Sequence, residues 1–237
     1  LAIYRSPATV RDSQFRLATG DDALNIKNSL IDVRNNIFEK NSFDGFDADF
    51  TTGEIVGNRF LENGNDGIDL SGSTVTIRDN YVEGSGDKGI SVGEDSKPTI
   101  VNAVIVQSNI GIATKDSSQA KIIHSVIAGN KIGIVAYRKK PIFNGGDAQI
   151  ANSIIWNNDK FLDVDDFSKV EIKSSVVQTG YPGGNITTEP IFADTVRGDY
   201  HLRADVRDQF AGDTALTKDF IGMDQEHVLM GLLEWYD

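Results

Sequence analysis

A step of 22 residues repeats along the first half of the chain and constrains its fold more than any other sequence feature. Gly67-Ile68 is followed 22 residues later by Gly89-Ile90. The same step gives four equivalent pairs at Ala23-Leu24, Gly45-Phe46, Gly111-Ile112 and Gly133-Ile134. A fixed period between about 20 and 50 residues is typical of solenoids, in which each unit stacks on the next.

The composition of each unit indicates strands. Every unit contains short β-rich runs that are separated by Gly, Asn, Asp and Ser. Apolar side chains lie one and three positions after the glycine, as Ile68 and Leu70 do, and we expect them to face inward. The units are too short and too poor in helix-forming residues for helical repeats. We therefore predict an all-β fold, a parallel β-helix solenoid of 22-residue coils in which three short sheets surround a narrow core.

Polar residues recur at two further fixed positions of the unit. Nine residues before each glycine the chain has Asn36, Asn58, Asn80 and Asn102, with His124 in the next unit. Four residues before it come Asn41, Asn63, Ser85, Gln107 and Gly129. Because successive coils lie about 4.8 Å apart, equivalent side chains stack along the axis. We interpret the asparagines as a structural ladder that bonds to itself and to free backbone groups, with ligand binding as the alternative.

The regular pattern sets the predicted domain organisation. Residues 1–205 are predicted to form the β-helix, with an imperfect first coil and an inserted loop at residues 138–147. Residues 206–237 are predicted to form a tail with a short C-terminal helix, because Asp224 is a plausible N-cap for an apolar run of helical spacing. That run consists of Val228, Leu229, Leu232, Leu233 and Tyr236. The helix would cover the open last coil or dock onto a partner domain.

Charge and composition exclude several classes of function. Asp and Glu outnumber Lys and Arg by 35 to 23, giving a net charge of −12, so we expect no nucleic-acid partner. No run approaches the roughly 18 apolar residues of a membrane span, so we expect no membrane insertion. The absence of cysteine removes disulfides and thiolate metal sites. Leu1 begins partway into a strand-like pattern, which favours flanking domains in a larger chain.

Carboxylates cluster on the predicted outward positions of the Gly-Ile strand. Asp47 and Asp69 lie two residues after the glycine, and Asp44 and Asp66 immediately precede it. Stacked carboxylates repel one another unless they are protonated, solvated or bridged by a cation. Calcium accepts six to eight oxygen ligands without strict geometry, so we predict Asp44, Asp47, Asp66 and Asp69 as metal ligands. The alternative is an exposed sheet that uses charge to stay soluble.

A group of cationic and tyrosine residues follows in the later coils. We predict Lys115, Tyr137, Lys88 and Asp87 as candidate catalytic residues, and Asp69, Ser91, Glu94 and Arg138 as candidate substrate-binding residues. A cation could neutralise a uronate carboxylate while a lysine or tyrosine removes the proton next to it, which is the chemistry of β-elimination and epimerisation. The alternative is an ordinary hydrated sheet face followed by a solvated basic loop.

One coil carries a recognisable family pattern. Asn58-Arg59-Phe60, Asn63, Gly67-Ile68 and Ser73 reproduce the NxF, N, GI and S positions of right-handed parallel β-helix repeat proteins. The segment at residues 190–205 is similar to one that often ends bacterial β-helices. The chain thus resembles the pectate-lyase-like superfamily, which implies a right-handed coil and a secreted or cell-surface location. The superfamily holds lyases, hydrolases, epimerases, adhesins and spacers, so the resemblance does not fix the function.

The polygalacturonase-like glycosidases of this superfamily can be compared motif by motif. Asn65-Asp66-Gly67 resembles their NTD motif, but Gly86-Asp87-Lys88 replaces their pair of aspartates. Asn109-Ile110-Gly111 lacks the histidine of their GHG motif, and no RIK follows. Asp66 and Asp87 would be the only remaining carboxylate pair for hydrolysis, which disfavours a hydrolase. The lyase and epimerase families instead hold a Lys or Arg base near calcium, which Lys88, Lys115 or Arg138 could supply.

These observations combine into one functional hypothesis with one alternative. The sequence favours a secreted or cell-surface module that is structural or binds a polysaccharide or cell-surface glycan, with calcium on its acidic stripe and no organic cofactor. The alternative is a calcium-dependent lyase or epimerase of acidic polysaccharides. An enzyme needs a groove with walls, and residues 138–147 form the only sizeable insertion, which favours binding.

Overall fold

The chain forms a right-handed parallel β-solenoid, as the repeat predicts. The computed structural model describes residues 1–213 and 231–232. In this range eight coils each contribute one strand to three parallel sheets, which we name A, B and C in the order in which the chain enters them. The helical content of the described residues is limited to the 3₁₀ turns Thr195–Arg197 and Arg207–Phe210. No helix in this part of the chain is both long and apolar enough to cross a membrane.

The strands are short and follow one another at regular intervals. Sheet A consists of Ala2–Tyr4, Leu24–Lys27, Phe46–Asp49, Ile68–Ser71, Lys88–Gly93, Ile110–Lys115, Ile132–Tyr137 and Lys160–Val164. Sheet B consists of Ala8–Arg11, Leu30–Arg34, Thr52–Val56, Thr74–Arg78, Thr99–Val101, Gln119–Ile123, Asp147–Ala151 and Lys169–Lys173. Sheet C consists of Gln14–Arg16, Ile37–Glu39, Arg59–Leu61, Tyr81–Glu83, Val104–Val106, Val126–Ala128, Ile154–Trp156 and Val176–Val177.

Alternate side chains of each strand fill the core between the three sheets. Ile68 and Leu70 of sheet A are fully buried, and the equivalent residues of the other coils stack above and below them. Phe38 stacks in parallel between Phe15 and Phe60, with ring centroids 4.9 and 4.7 Å away. Burying one such side chain contributes about 1.5–3 kcal/mol. The inward positions predicted from the Gly-Ile run are therefore confirmed.

Stacked amides line the turn between sheets B and C. The Nδ2 of Asn36 donates to the Oδ1 of Asn58 at 3.0 Å, and Asn58 donates to Asn80 in the same way at 3.0 Å. The second Nδ2 hydrogen of Asn58 reaches the carbonyl oxygen of Val33 at 3.0 Å. The structural interpretation of these three asparagines is confirmed, because each side chain bonds to the amide or the backbone of a neighbouring coil.

The prediction that Asn102 and His124 continue this ladder is wrong. The turn at Glu94 and Asp95 contains one more residue than the turn before it, so Arg78 pairs with Val101 rather than with the residue 22 positions on. Ala103 and Ser125 consequently take the ladder positions, and their backbone N–H groups donate to the next serine hydroxyl. Asn102 and His124 adopt positive φ in the turn itself.

The second predicted ladder is also displaced by one residue, because it too follows the longer turn at Glu94 and Asp95. Asn41 and Asn63 occupy it as predicted, and the Nδ2 of Asn41 lies 2.8 Å from the Oδ1 of Asn63. Gln107 and Gly129 do not belong to it, because Ser108 and Asn130 take their places; the N–H of Ser108 donates to the Oδ1 of Asn130 at 2.9 Å. The register of sheet A is restored at once, since Lys88 pairs with Ile110 after 22 residues.

The inserted loop lies where the sequence predicts it. Lys115 pairs with Tyr137 at the usual step, whereas Gln119 pairs with Asp147 28 residues later. The extra residues leave the solenoid between sheets A and B. We name residues 138–146 the insertion loop.

Residues after the last sheet B strand close the solenoid. The side chains of Gln178 and Asn185 accept the N–H groups of Asn158 and Ser175, at 2.8 and 2.9 Å, and so end both ladders. Tyr181 packs against the core, and its hydroxyl donates to the carbonyl oxygen of Val170 at 2.7 Å. The described residues therefore already contain a cap for the last coil.

A second apolar core lies on the outer face of sheet C. An antiparallel hairpin of Phe192–Asp194 and Asp199–Leu202 folds back against this face. The residues that meet there include Val104, Val106, Val126, Ala128, Ile154 and Val176 from the solenoid, and Tyr200, Leu202, Val206 and Phe210 from the returning chain. The predicted C-terminal helix lies outside the described residues, apart from residues 231–232, and the division at residues 205 and 206 stays a prediction.

Candidate functional site

Three of the predicted metal ligands meet at one edge of sheet A. Asp44, Asp66 and Asp69 each place a carboxylate oxygen within 4.8 Å of the other two, and we name them the acidic triad. The Oδ1 of Asp44 accepts the backbone N–H of Asp66 and the Nδ2 of Asn65, both at 2.7 Å. These bonds fix the direction of the buried Asp44 side chain.

The repeated glycine permits this arrangement. Each triad-bearing turn passes close to the next coil, and a Cβ at Gly45 would lie 2.8 Å from the carbonyl oxygen of Gly67. A Cβ at Gly67 would lie 2.7 Å from the carbonyl oxygen of Gly89. Any side chain at these positions would separate the coils, so the glycine that defines the repeat also allows Asp44 and Asp66 to stack.

Two lysines border the triad. The Nζ of Lys88 lies 3.4 Å from the Oδ1 of Asp66, and the same oxygen accepts the Lys88 N–H at 2.9 Å. The Nζ of Lys115 lies 3.9 Å from the Oδ1 of Asp69, an oxygen that is buried and accepts no hydrogen bond from the described residues. Both lysines are buried, at 8% and 7% exposure, so their charges are held at the triad.

Lys115 lies flat across the sheet instead of pointing into solvent. Its Nζ donates to the Oγ of Ser91 at 2.7 Å, and a Cβ at Gly93 would lie 2.6 Å from the Lys115 Cε. Gly93 thus provides the space for the lysine chain. Ser91, a predicted substrate-binding residue, is fully buried beneath Lys115.

Asp47, the fourth predicted metal ligand, lies beside the triad but does not join it. It pairs with Asp69 in the neighbouring strand, and its Oδ2 accepts a hydrogen bond from the Nδ2 of Asn25. Burial, followed by the charges of Asp49 and Asp69, raises the pKa of Asp47 to about 8.

Two carboxylates of the triad, Asp44 and Asp66, have raised pKa values. Burial raises the pKa of Asp44 to about 7, and the carboxylates of Asp66 and Asp69 add to this effect. Burial also raises the pKa of Asp66, although Lys88 opposes the shift. For Lys88 itself, burial lowers the pKa, but Asp66 and Asp87 outweigh it and the net shift is upward. A bound cation would stabilise the charged carboxylates and so oppose this effect of burial.

A cleft of about 450 Å³ opens on sheet A beyond the triad. Its polar lining comes from Asp87, Lys88, Tyr137, Lys139, Asp163 and Asp165, and its floor is apolar, formed by residues such as Ile110, Ile132 and Val135. The Nζ of Lys88 bonds to Asp87 at the mouth of the cleft. Burial raises the pKa of the Tyr137 hydroxyl. Three of the four predicted catalytic residues therefore line this cleft, and Lys115 lies against the triad.

The insertion loop forms one wall of the cleft and is fixed to the solenoid. The Oδ1 of the buried Asp116 accepts the backbone N–H groups of Lys139 and Lys140, at 2.8 and 2.7 Å. Lys140 forms an ion pair with Glu94. The N–H of Arg138 donates to Asp165 at 2.8 Å, and its guanidinium lies 3.4 Å from the centre of the Phe167 ring. Glu94 and Arg138, predicted to bind substrate, are thus engaged in holding the loop.

Sequence reasoning missed three acidic residues of this region. Asp163 pairs with Val135, which is the outward position that Asp47 and Asp69 occupy in earlier coils. Extending the 22-residue step across the six extra residues of the insertion would have found Asp163 and then Asp165. Asp116 gives no such signal, because its role depends on how the insertion loop folds.

Comparison with known proteins identifies the family to which the fold belongs. A family profile described as "Right handed beta helix region" matches residues 22–160. The chain belongs to this family. No curated protein sequence matches the chain.

Two solved structures illustrate how this right handed beta helix relates to larger proteins. A double mutant of the periplasmic alginate epimerase AlgG superimposes with a TM-score of 0.62 and 15% identity, covering 78% of this chain and 47% of the epimerase chain. Pectate lyase Pel9A superimposes with a TM-score of 0.65 and 13% identity, covering 93% of this chain and 70% of the lyase chain. At these identities the likeness shows a shared fold, and the right handed beta helix spans less than half of the epimerase.

Proposed function

We propose that this chain binds an acidic polysaccharide on the outward face of sheet A, through a calcium ion held by Asp44, Asp66 and Asp69. The observation that carries the proposal is the acidic triad, whose oxygens lie within 4.8 Å of one another at a position where two of the three residues are buried. Buried carboxylates are costly unless a counter-charge or a proton compensates them.

The residues of the triad fit a calcium ion. Among the residues that the structure describes, the hydrogen bonds to the Asp44 and Asp66 carboxylates go to Oδ1, which leaves each Oδ2 available to a cation. The buried Oδ1 of Asp69 accepts no hydrogen bond within the described residues. Calcium accepts six to eight oxygens, so water and a carboxylate of the ligand would complete the shell. Lys88 and Lys115 offset part of the charge, and Asp44 has no cationic partner among the described residues.

An acidic polysaccharide suits the rest of the face. Calcium, Lys88 and Lys139 would attract carboxylates locally, although the net charge of the whole chain is −12. The apolar cleft floor would accept the C–H face of a sugar ring. Alginate and pectate, the substances in the names of the two similar structures, are therefore the first ligands to test.

We place the protein outside the cytoplasm, secreted or on the cell surface, and as one module of a larger chain. The periplasmic description of the epimerase supports this location.

The test is calcium binding followed by thermal melting, with pectate and alginate added in turn. Saturating calcium at 100 times its Kd should stabilise the folded protein by about 2.7 kcal/mol. Asp44→Asn and Asp69→Asn should abolish this stabilisation and weaken polysaccharide binding at least tenfold. Asp49→Asn is the matched control, because Asp49 lies on the same face and pairs with Lys27 at 3.0 Å. Equal calcium responses in all four proteins would refute the metal site.

A lyase or epimerase activity is the second candidate, and the position of Lys115 favours it. With calcium in place of its charge at the triad, Lys115 could lose its own proton, and the neutral amine would then remove the proton next to a uronate carboxylate that calcium neutralises. In elimination, the electron pair of that C–H bond forms a carbon–carbon double bond as the bond to the glycosidic oxygen breaks, and Tyr137 would protonate the departing oxygen. In epimerisation, a proton returns to the same carbon from the other side.

Absorbance of the new double bond distinguishes elimination from binding. If the protein is a lyase, pectate or alginate should give a steady rise in ultraviolet absorbance, which Lys115→Ala and Tyr137→Phe should reduce at least a hundredfold without loss of polysaccharide binding. Proton exchange with deuterated water at the uronate carbon would report epimerisation. Tight binding with neither signal leaves the binding module as the function.

A further inference from the structure

The proposed function makes no use of a second recess, which lies between sheet C and the C-terminal hairpin. It has a volume of about 400 Å³. The solenoid side is lined by Gln107, Ala128, Gly129, Trp156 and Asn157, and the hairpin side by Glu189, Pro190, Phe192, Thr195 and Tyr200. We name it the sheet C recess. Its volume falls within the range of about 300–1,000 Å³ of small-molecule sites.

The recess is open at its mouth because the residue there in one coil, Gly129, has no side chain. Gln107, Gly129 and Asn157 occupy the same turn position in three successive coils, with φ of 56°, 65° and 55°. The N–H of Gln107 donates to the carbonyl oxygen of Ala128 in the next coil, and the N–H of Gly129 donates to that of Trp156. Gly129 has no side chain, so a gap separates the turn positions of Gln107 and Asn157, which lie about 10 Å apart, twice the strand spacing.

The walls of the recess are aromatic and held in place. Trp156 follows Ala128 in the sheet C ladder and packs against the second core. On the hairpin, Phe192 and Tyr200 meet edge to face, with ring centroids 5.3 Å apart. Both walls are therefore supported by packing, and the small Ala128 leaves the space in front of the indole open.

The polar groups at the rim are of mixed type but carry little charge. Gln107, Asn157 and Thr195 offer both donors and acceptors, and Glu189 is the only charged residue among those that line the recess. Glu189 is exposed. A single carboxylate favours hydroxyl donors and disfavours an anionic ligand, so this recess does not suit the uronates proposed for sheet A.

We propose that the sheet C recess binds one ring of a neutral sugar. A pyranose ring presents an apolar C–H face, which would pack on the Trp156 indole, and hydroxyl groups, which would bond to Gln107, Asn157 and Glu189. These are the requirements of a site with aromatic walls and a few convergent polar groups. The recess would give the protein a second carbohydrate contact that is independent of calcium and of the acidic triad.

Trp156 fluorescence tests the proposal directly. The chain contains two tryptophans, Trp156 and Trp235, so the full chain carrying Trp235→Phe reports on the recess alone. It should be titrated with glucose, galactose, mannose, cellobiose and lactose in the presence of EDTA, and with glucuronic acid and choline in parallel. We expect a saturable change in emission with at least one neutral sugar and a response at least tenfold weaker with glucuronic acid and choline.

Filling the recess provides the matched variant. Gly129→Asn places an amide in the gap, and the fold should tolerate it because asparagine accepts positive φ and the nearest atom to a Cβ there is the Gln107 Cγ at 4.0 Å. Gly84→Asn is the control, since Gly84 has the same turn conformation, with φ of 69°, outside the recess. Neutral-sugar binding should fall at least tenfold in Gly129→Asn and remain unchanged in Gly84→Asn.

Three results would overturn the proposal. These are the absence of any neutral-sugar response, tighter binding of glucuronic acid or choline than of every neutral sugar, and equal binding by Gly129→Asn and the parent protein. None of them depends on the acidic triad, because EDTA is present throughout. Failure here would therefore leave the proposed function of sheet A untouched, and the reverse also holds.

Discussion

At the scale of single residues, burial raises the pKa of two aspartates in the acidic half of sheet A. Asp47 has a pKa of about 8 in the folded protein against an ordinary value of 3.8, chiefly because it is buried and because Asp49 and Asp69 lie nearby. Asp44 has a pKa of about 7 for similar reasons. Without a metal, both side chains bind a proton more tightly in the folded state than in the unfolded state.

Stability in EDTA should consequently depend on pH. Since the folded-state pKa of Asp47 is raised, the free energy of unfolding should fall as pH rises from about 4 to about 8, by at most about 1.4 kcal/mol per pH unit for each such group. Asp47→Asn should flatten this slope, as measured by urea unfolding at a series of pH values. Asp12→Asn, at an exposed turn, should leave the slope unchanged; a slope that persists in Asp47→Asn would contradict the assignment.

The glycines of the repeat give a second expectation at this scale. Gly67→Ala would place a Cβ 2.7 Å from the Gly89 carbonyl oxygen and from the Val82 Cγ1. Such overpacking costs about 1–3 kcal/mol, so the melting temperature should fall by several degrees. Gly20→Ala is the control, because nothing lies within 4 Å of a Cβ there. Equal melting temperatures for the two variants would show that the coils can separate without cost.

At the scale of elements, the insertion loop is a rigid wall because Asp116 accepts two of its backbone N–H groups. Asp116 is fully buried, and its other oxygen accepts no hydrogen bond within the described residues. The loop also carries Lys139 to the cleft. Asp116 is therefore a positioning residue for the wall and has no contact with a ligand in this arrangement.

Removing the Asp116 carboxylate should release the loop. Asp116→Ala removes the acceptor of the half-buried N–H groups of Lys139 and Lys140, and each lost hydrogen bond should cost about 0.5–1.5 kcal/mol. Hydrogen exchange should show faster exchange at residues 138–146, and pectate binding should weaken. Asp116→Asn keeps an acceptor oxygen and should preserve slow exchange, while Asp159→Ala tests an exposed aspartate. Unchanged exchange in Asp116→Ala would mean that Glu94 and Asp165 suffice to hold the loop.

At the scale of the whole molecule, the protein has two cores that share sheet C. The inner core lies between the three sheets, and the outer one is completed by the returning chain at Tyr200, Leu202, Val206 and Phe210. Phe210 is 1% exposed although it lies on a short 3₁₀ turn. The returning chain buries the apolar outer face of sheet C. An exposed apolar face of this kind would favour association with other protein molecules.

Truncating Phe210 should open the outer core while the solenoid stays folded. Phe210→Ala should cost about 3–5 kcal/mol and expose the apolar face of sheet C. We expect a separate low-temperature transition in melting, with binding of a hydrophobic dye before the main transition. Val196→Ala is the control, because Val196 is 96% exposed. A single unshifted transition in Phe210→Ala would show that the hairpin is held by other contacts.

How much the sequence predicted depends on how local each feature is. The sheets, the inward residues and the stacking of Asp44 under Asp66 follow from the 22-residue step, because neighbouring coils repeat one geometry. The ladder positions of Ala103 and Ser125 were missed because the extra residue at Asp95 leaves the step of sheet A intact. The Asp116 contacts and the recess at Trp156 depend on chain segments that leave the solenoid and return, so no period encodes them.

The one-residue register shift at Asp95 affects how the lengths of such proteins can change during evolution. Sheets B and C take 23 residues for this coil, yet sheet A keeps its step of 22, because a shorter turn before Ile110 removes the added residue. Insertions and deletions can therefore accumulate in pairs within one coil without shifting the outward residues of sheet A. The face that carries the acidic triad is free to keep its ligands in place while the other two sides of the molecule diverge in length.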